Sequence, residues 1–296
     1  MIGLDLLIGA ALSLAPAGSE QQPEYMALPL PPAEQLAERR RLDAALARLQ
    51  PQRAGTVDAY VVVVALDSDP VFNREAREAG RVLSSRFDAA GRTIVLADDE
   101  GASKGDAAGS PQSLEIALAR VAELMDRNED VLVLYSTSHG EPNSGLIYKD
   151  LLRGAGVISP ARLADDLKTL GIRNRLLILQ ACFSGQFVPA LKDANSIVVT
   201  AAAADRSSFG CGAGNDWTYF GDALINHAFR QPLPLDAQLR RAAILIGAAE
   251  DRDKLTPSNP QVNTGADSAK WLSQLEQREP KTTSDPVGQS VLGLGK

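Results

Sequence analysis

Two side chains in this sequence could do nucleophilic chemistry together, and both belong to residue types that are scarce in it. The 296 residues include two cysteines, Cys182 and Cys211, and two histidines, His139 and His227. A thiol attacks as its thiolate, and a free cysteine has a pKa of about 8.5. An adjacent imidazole therefore helps to supply the thiolate and later protonates a leaving amine. His139 lies in Ser136-Thr137-Ser138-His139-Gly140, and Cys182 lies in Gln180-Ala181-Cys182-Phe183-Ser184-Gly185. Each follows an apolar run and precedes a small, glycine-containing turn. Gly140 has no Cβ, so its N–H can come close to a substrate. With the N–H of Cys182 it could form an oxyanion hole. Taken singly, a buried cysteine is usually a small core hydrophobe and a histidine an ordinary surface or capping group. Their joint position at two strand ends is what favours chemistry.

The same scarcity excludes other functions. Four Cys and His side chains, none in a CxxC or HxxxH spacing, cannot build an all-Cys/His zinc site, and two cysteines make no disulfide framework. The formal charge of −7, the pI near 5.0 and the lack of a long basic cluster argue against a dedicated nucleic-acid binder. No run of about 18 or more apolar residues predicts a transmembrane helix. With 45% hydrophobic residues the chain can bury a sizeable core.

The elements that must position the pair follow from periodicity. A nearly continuous β-branched run predicts a strand over 58–66 buried on both faces, and further apolar runs predict strands over 92–97, 130–137, 175–181 and 196–201. Amphipathic spacing predicts helices over 33–49 and 71–87. Ser110-Pro111, with an N-cap hydroxyl and proline at the first helical position, and Ser159-Pro160 open two more, ending near 125 and 171. Alternation of this kind implies βαβ units, a mostly parallel sheet and helices on both faces. Ligands gather at the C-terminal edge of such sheets. His139 and Cys182 end the third and fourth strands, and neighbouring strands lie about 4.7–4.9 Å apart.

An apolar strand ending in T-S-H-G, followed by a second ending in A-C-x-S-G, resembles the legumain-like (asparaginyl endopeptidase) cysteine peptidases of the caspase-like clan. The Q-A-C-x-G form of caspases is only partly met, because Phe183 and Ser184 intervene. Thr200-Ala201-Ala202 followed by Arg206-Ser207-Ser208-Phe209-Gly210-Cys211 is similar to the legumain stretch that lines the substrate cleft. Residues 217–222 and 258–262 resemble stretches of bacterial relatives. The resemblance covers about residues 57–265 and implies a caspase-like three-layer α/β sandwich with no metal or organic cofactor. It implies a polypeptide substrate cleaved after Asn, and less readily after Asp. The pocket it implies reads both ends of a carboxamide with a basic and an acidic residue. By motif position these are Arg74 and Asp222, with Gln180, Ser207 and Ser208 nearby. Arg74 reads equally as a solvated position on an amphipathic helix, and Asp222 as an acid at the start of a helix over 223–229. Gln180 replaces a family glutamate, and Phe72 or Asn73 stands where the family supplies an asparagine that orients the histidine.

Other expectations concern the chain's ends and its chemistry. Residues 1–17 hold a short apolar run followed by Ala15-Pro16-Ala17, a candidate signal peptide lacking an upstream Lys or Arg. The protein is exported if that signal is real and cytoplasmic otherwise. Residues 18–56 read as a linker and a helix, and 57–265 as the peptidase domain. Residues 266–296 read as a short helical segment and a flexible tail. In an exported protein a Cys182–Cys211 disulfide could switch the nucleophile off. The leading expectation is a cysteine endopeptidase. A transpeptidase or transamidase using the same dyad and a non-catalytic caspase-like binding module are the alternatives.

Overall fold

The β-branched run at 59–65 is buried throughout, and its two alternating sets of side chains serve two different cores. A computed structural model describes residues 25–98 and 107–294. The candidate signal peptide lies outside the described residues. In chain order the first elements are β1 (Tyr25–Ala27), α1 (Pro32–Ala47), β2 (Ala59–Ala65), α2 (Pro70–Arg86), β3 (Thr93–Leu96) and α3 (Pro111–Leu124). They are followed by β4 (Val131–Thr137), β5 (Gly140–Glu141), β6 (Gly145–Asp150), β7 (Gly154–Ile158), α4 (Pro160–Thr169) and β8 (Asn174–Gln180). The rest are α5 (Val188–Leu191), β9 (Ser196–Thr200), α6 (Tyr219–Gly221), α7 (Leu235–Arg252), β10 (Gln261–Thr264) and α8 (Ser268–Glu276).

The main sheet has the order β10-β9-β8-β4-β2-β3. Five of its strands are parallel, and β10 closes one edge antiparallel to β9. Val61 and Val63 of β2 pack with α2, α7 and α8. Tyr60, Val62 and Val64 pack with α1, α3 and α4 on the opposite face. The fold is thus a three-layer α/β sandwich, as expected. Ser110 caps α3 by accepting from the Ser113 N–H, and Ser159 caps α4 by accepting from the Arg162 N–H.

Other parts go beyond the predicted elements. An antiparallel sheet of order β1-β7-β6-β5 sits beside the main one, and β1 pairs with β7 from within the expected linker. Its strands are short and glycine-rich, with little alternation. Helix α7 turns mostly small or polar residues inward, among them Gln238, Ala242 and Ala249, so its apolar stripe is faint in the sequence. The region expected to form a helix over 223–229 is a π-helix, Asp222–Ala228.

The expected flexible tail is a correction. The Trp217 indole N–H donates to the Val287 carbonyl at 2.9 Å. The Val287 and Val291 amides donate to the side chains of Asn226 and Asp222, each at 2.8 Å, and Leu292 is buried. The segment has no periodicity of its own and is ordered by polar side chains contributed from elsewhere.

A buried ion pair fastens the start of this segment. Glu279 lies 2.6 Å from Arg86 of α2, with side chains 7% and 3% exposed. The guanidinium also lies over the rings of Phe87 and Phe229, at 5.1 and 5.0 Å. Burial lowers the Arg86 pKa and pushes the Glu279 carboxyl up to about 7. Desolvation therefore outweighs the mutual attraction. Glu279→Ala leaves a buried cation without its partner and is expected to lower the urea-unfolding free energy by about 3–5 kcal/mol. The double variant Arg86→Met/Glu279→Leu should recover most of that loss. A Glu279→Ala protein as stable as the parent would show that the pair is not buried in solution.

Candidate active site

Strands β4 and β8 run side by side, and their register pairs Thr137 with Gln180. Each chain continues two residues further, to His139 on one side and Cys182 on the other. The Ser138 amide still donates to the Gln180 carbonyl at 3.1 Å, which ties the two strand ends together. Gly140 then passes against the backbone of Cys182. A Cβ built on it would lie 2.0 Å from the Cys182 carbonyl oxygen and 3.1 Å from the Ala181 Cβ. Only glycine fits this approach.

Cys182 stands at the head of a tight turn from β8 into a 3₁₀-helix, Ser184–Phe187. Phe183 adopts a left-handed conformation with φ of 57°, which is costly for a bulky residue and persists only where its surroundings enforce it. Its amide donates to the Arg206 carbonyl at 2.7 Å, and the Gly185 amide donates to Ala202 at 2.9 Å. The segment after β9 thus braces the turn. The sulfur accepts from the Ser208 N–H at 3.3 Å and its thiol faces the Ser208 carbonyl at 3.4 Å. Burial pushes the Cys182 pKa up, opposed by the Ser208 N–H and the Ser207 side chain, while Cys211 adds to the rise.

The His139 Nε2 lies 3.2 Å from Asp69 Oδ2, and the Phe72 ring meets the imidazole edge to face at 5.0 Å and 84°. The imidazole is pushed up to about 9, first by the neighbouring Cys211 side chain. Burial opposes the rise and Asp69 reinforces it. Cys211 therefore acts on both His139 and Cys182, and both thiols are free. Among the described residues no hydrogen bond joins Cys182 directly to His139. Asp67, Asp69 and His139 also place three atoms capable of holding a metal within 4.8 Å of one another.

The expected pocket residues divide. Arg74 is no solvated helix position. Its guanidinium donates to the Ala213 and Asn215 carbonyls at 2.8 and 2.6 Å, and its Nε lies 3.6 Å from Asp216 Oδ1. Ser207 is exposed beside the sulfur and Ser208 is buried. Gln180 is a correction: its side chain is buried, and its Oε1 lies 3.0 Å from Thr137 Oγ1 and accepts from the Ser138 amide at 3.3 Å. It braces the strand end that carries His139. Asp222 is a second correction. Its carboxylate is fully buried and accepts from Asn226, Ser290 and Val291 at 2.7–2.8 Å. Burial would raise its pKa, but the neighbouring His227 imidazole at 3.3 Å and hydrogen bonds from Ser290 and Asn226 outweigh burial and lower it. Its work is to hold the C-terminal segment.

Residues 108–239 match the family model described as the Peptidase C13 family. Over this segment, somewhat under half of its length, the chain is similar to the legumain-like cysteine peptidases. Members of the C13 family are cysteine peptidases, so the chain is a hydrolase of that class. Among solved structures, caspase-1 from Spodoptera frugiperda is similar over 73% of this chain and 92% of its own, with 14% identity and a TM-score of 0.45. No curated protein matches the sequence.

Three residues of this cysteine peptidase have roles that no local pattern announces. Asp69 was legible only as part of a strand-breaking Asp67-Ser68-Asp69-Pro70 turn. It occupies the N-cap of α2 but makes no side-chain cap bond, and its carboxylate goes to His139 instead. Neither candidate for the orienting asparagine takes that place: Phe72 meets the ring edge to face, and Asn73 Oδ1 accepts from the Asp98 amide at 2.7 Å. Asp216, adjoining the recognisable Trp217-Thr218 stretch, is the acid beside Arg74. Glu75 is fully buried and accepts from Tyr135 and Thr137 hydroxyls at 2.6 and 2.8 Å, and from the Thr218 amide and hydroxyl at 3.0 and 2.7 Å. It ties the C-terminal end of β4 to the 218 turn.

Proposed function

We propose that this peptidase is an endopeptidase that cleaves through Cys182 as nucleophile, with His139 as general base and then general acid, after Asn or Asp. The observation that carries the reading is the β4–β8 register, which sets the two residues on adjacent strand ends with Gly140 packed on the Cys182 carbonyl. The thiol loses its proton to the imidazole and the sulfur attacks the scissile carbonyl. The N–H groups of Gly140 and Cys182 receive the oxyanion. Collapse breaks the C–N bond, and the imidazolium protonates the departing amine. Water, deprotonated by the same imidazole, then hydrolyses the thioester and regenerates the thiol. Asp69 orients the ring and supports its charge. Ser207 lines the cleft beside the sulfur, and the Ser208 N–H steadies it.

Arg74 and Asp216 form the reading pair for the residue before the cleaved bond. An arginine can donate to a carboxamide oxygen while a carboxylate accepts from its NH₂. An aspartate there would meet Asp216 as a like charge, which orders Asn ahead of Asp.

Covalent labelling tests both parts. A peptidyl acyloxymethyl ketone with Asn at P1 should modify Cys182 and spare Cys211, as read by peptide mass spectrometry. It should react at least about 10-fold faster than its Leu counterpart, and Arg74→Ala should remove that preference. His139→Ala should slow labelling by about 100-fold or more. Modification of Cys211 with Cys182 untouched would overturn the assignment of the nucleophile.

A further inference from the structure

Asp67 Oδ1 accepts from the Asp69 amide at 2.9 Å. Its other oxygen, Oδ2, is buried and has no hydrogen-bond partner, on a residue only 2% exposed. A buried carboxylate oxygen is costly to leave unpaired, and the charged groups that act on Asp67 are Asp69 and His139, within the cluster, and Lys149 outside it. Asp67, Asp69 and His139 present one ligand atom each, all within 4.8 Å of one another. The separation of 3.2 Å between Asp69 Oδ2 and His139 Nε2 is close to the edge of a tetrahedron around zinc, about 3.3 Å for metal–ligand bonds of about 2.0–2.1 Å. Two carboxylates and an imidazole favour Zn²⁺ over Mg²⁺ or Ca²⁺, which prefer all-oxygen sites. The scarcity of Cys and His excludes only a zinc site built from those types alone. Here the fold supplies carboxylates from the turn between β2 and α2.

We propose that Asp67, Asp69 and His139 form a Zn²⁺ site whose occupancy holds the peptidase inactive. The inhibitory part rests on the reading of His139 as the catalytic base; the binding part does not. Zinc on Nε2 displaces the Asp69 hydrogen bond and leaves the imidazole proton on Nδ1. The ring then has no lone pair with which to take the Cys182 proton, and the thiol stays neutral. Removing the ion restores the base without breaking a covalent bond.

Binding is read first on the full chain carrying Cys182→Ala and Cys211→Ser, so that sulfur ligation and catalysis are both absent. This protein should bind about one equivalent of Zn²⁺ by titration calorimetry and give a Co²⁺ absorption band in the visible. Adding Asp67→Asn, which keeps an oxygen to accept the Asp69 amide and so preserves the turn, should weaken binding at least about 10-fold. Adding His139→Ala should do the same. Loss of binding on removing the two cysteines, or binding indifferent to Asp67→Asn, would overturn the site. In the wild type, Zn²⁺ should inhibit peptide hydrolysis reversibly, with recovery on adding EDTA. Binding without inhibition would overturn the regulatory half. A wild type with no peptidase activity but with the same Zn²⁺ affinity would instead count against the proposed dyad.

Discussion

Cys182→Ala is expected to reduce peptide hydrolysis to background, a loss of at least about 10³-fold in kcat/KM, while Cys211→Ser keeps most of it. The contrast matters because proximity alone does not choose between the two thiols. The Cys211 side chain is the neighbour that most raises the His139 imidazole. Backbone architecture makes the choice. Cys182 heads a turn that holds Phe183 left-handed, and its sulfur accepts the Ser208 N–H at 3.3 Å. It also lies against Gly140, whose N–H belongs to the proposed oxyanion hole. Cys211 belongs to the 211–216 segment that Arg74 clamps, with no strand end beneath it. Losing Cys211 removes a polar neighbour of His139, and a polar contact of that kind is worth about 0.5–1.5 kcal/mol, so the rate should fall by no more than about 10-fold. Steady-state kinetics on a fluorogenic peptide, with active-site titration to normalise for folded protein, read both variants. Equal turnover by Cys182→Ala and the parent would end the case for Cys182, and an inactive Cys211→Ser beside an active Cys182→Ala would transfer the role.

The parts of this site that the sequence made legible are those dictated by local pattern. Continuous β-branched runs such as Tyr60–Val64 can only be strands buried on both faces. Once such strands alternate with capped helices, their C-terminal ends must share one edge. His139, Cys182 and Gly140 were readable for that reason. What escaped depends on long-range polar pairing. Asp222 looked like a pocket acid because it follows a recognisable stretch, yet its carboxylate is consumed by Ser290 and Val291, 68 and 69 residues away. Asp216, a few residues earlier, holds the position beside Arg74. Asp69 sits where a helix cap is the ordinary expectation, and nothing local indicates that its carboxylate turns to an imidazole 70 residues further on. The small sheet of β1 and β5–β7 and the docked C-terminal segment belong to the same class, since neither has a period that announces it.

Gly140→Ala tests how closely the two strand ends must approach, and it should damage both activity and stability. The added Cβ would meet the Cys182 carbonyl oxygen at 2.0 Å and the Ala181 Cβ at 3.1 Å. The first of these is backbone, so no side-chain rotation relieves the overlap. Either the Cys182 turn retreats or the 139–141 segment lifts. The first path is opposed by the hydrogen bonds of Phe183 to Arg206 and of Gly185 to Ala202, and the second by the hydrogen bond from the Ile147 amide to the His139 carbonyl at 2.9 Å. Overpacking of this kind costs about 1–3 kcal/mol. The displacement also falls on both halves of the proposed dyad and on the proposed oxyanion hole at once. A misplacement of about 1 Å there is worth about 100-fold in rate, so kcat/KM should drop by at least that factor in protein that still melts cooperatively. Circular-dichroism melts and kinetics on the same preparation separate the two losses. A Gly140→Ala protein with parental kcat/KM would mean that the strand ends stand further apart in solution than this register allows, and that the N–H of residue 140 has no part in the chemistry.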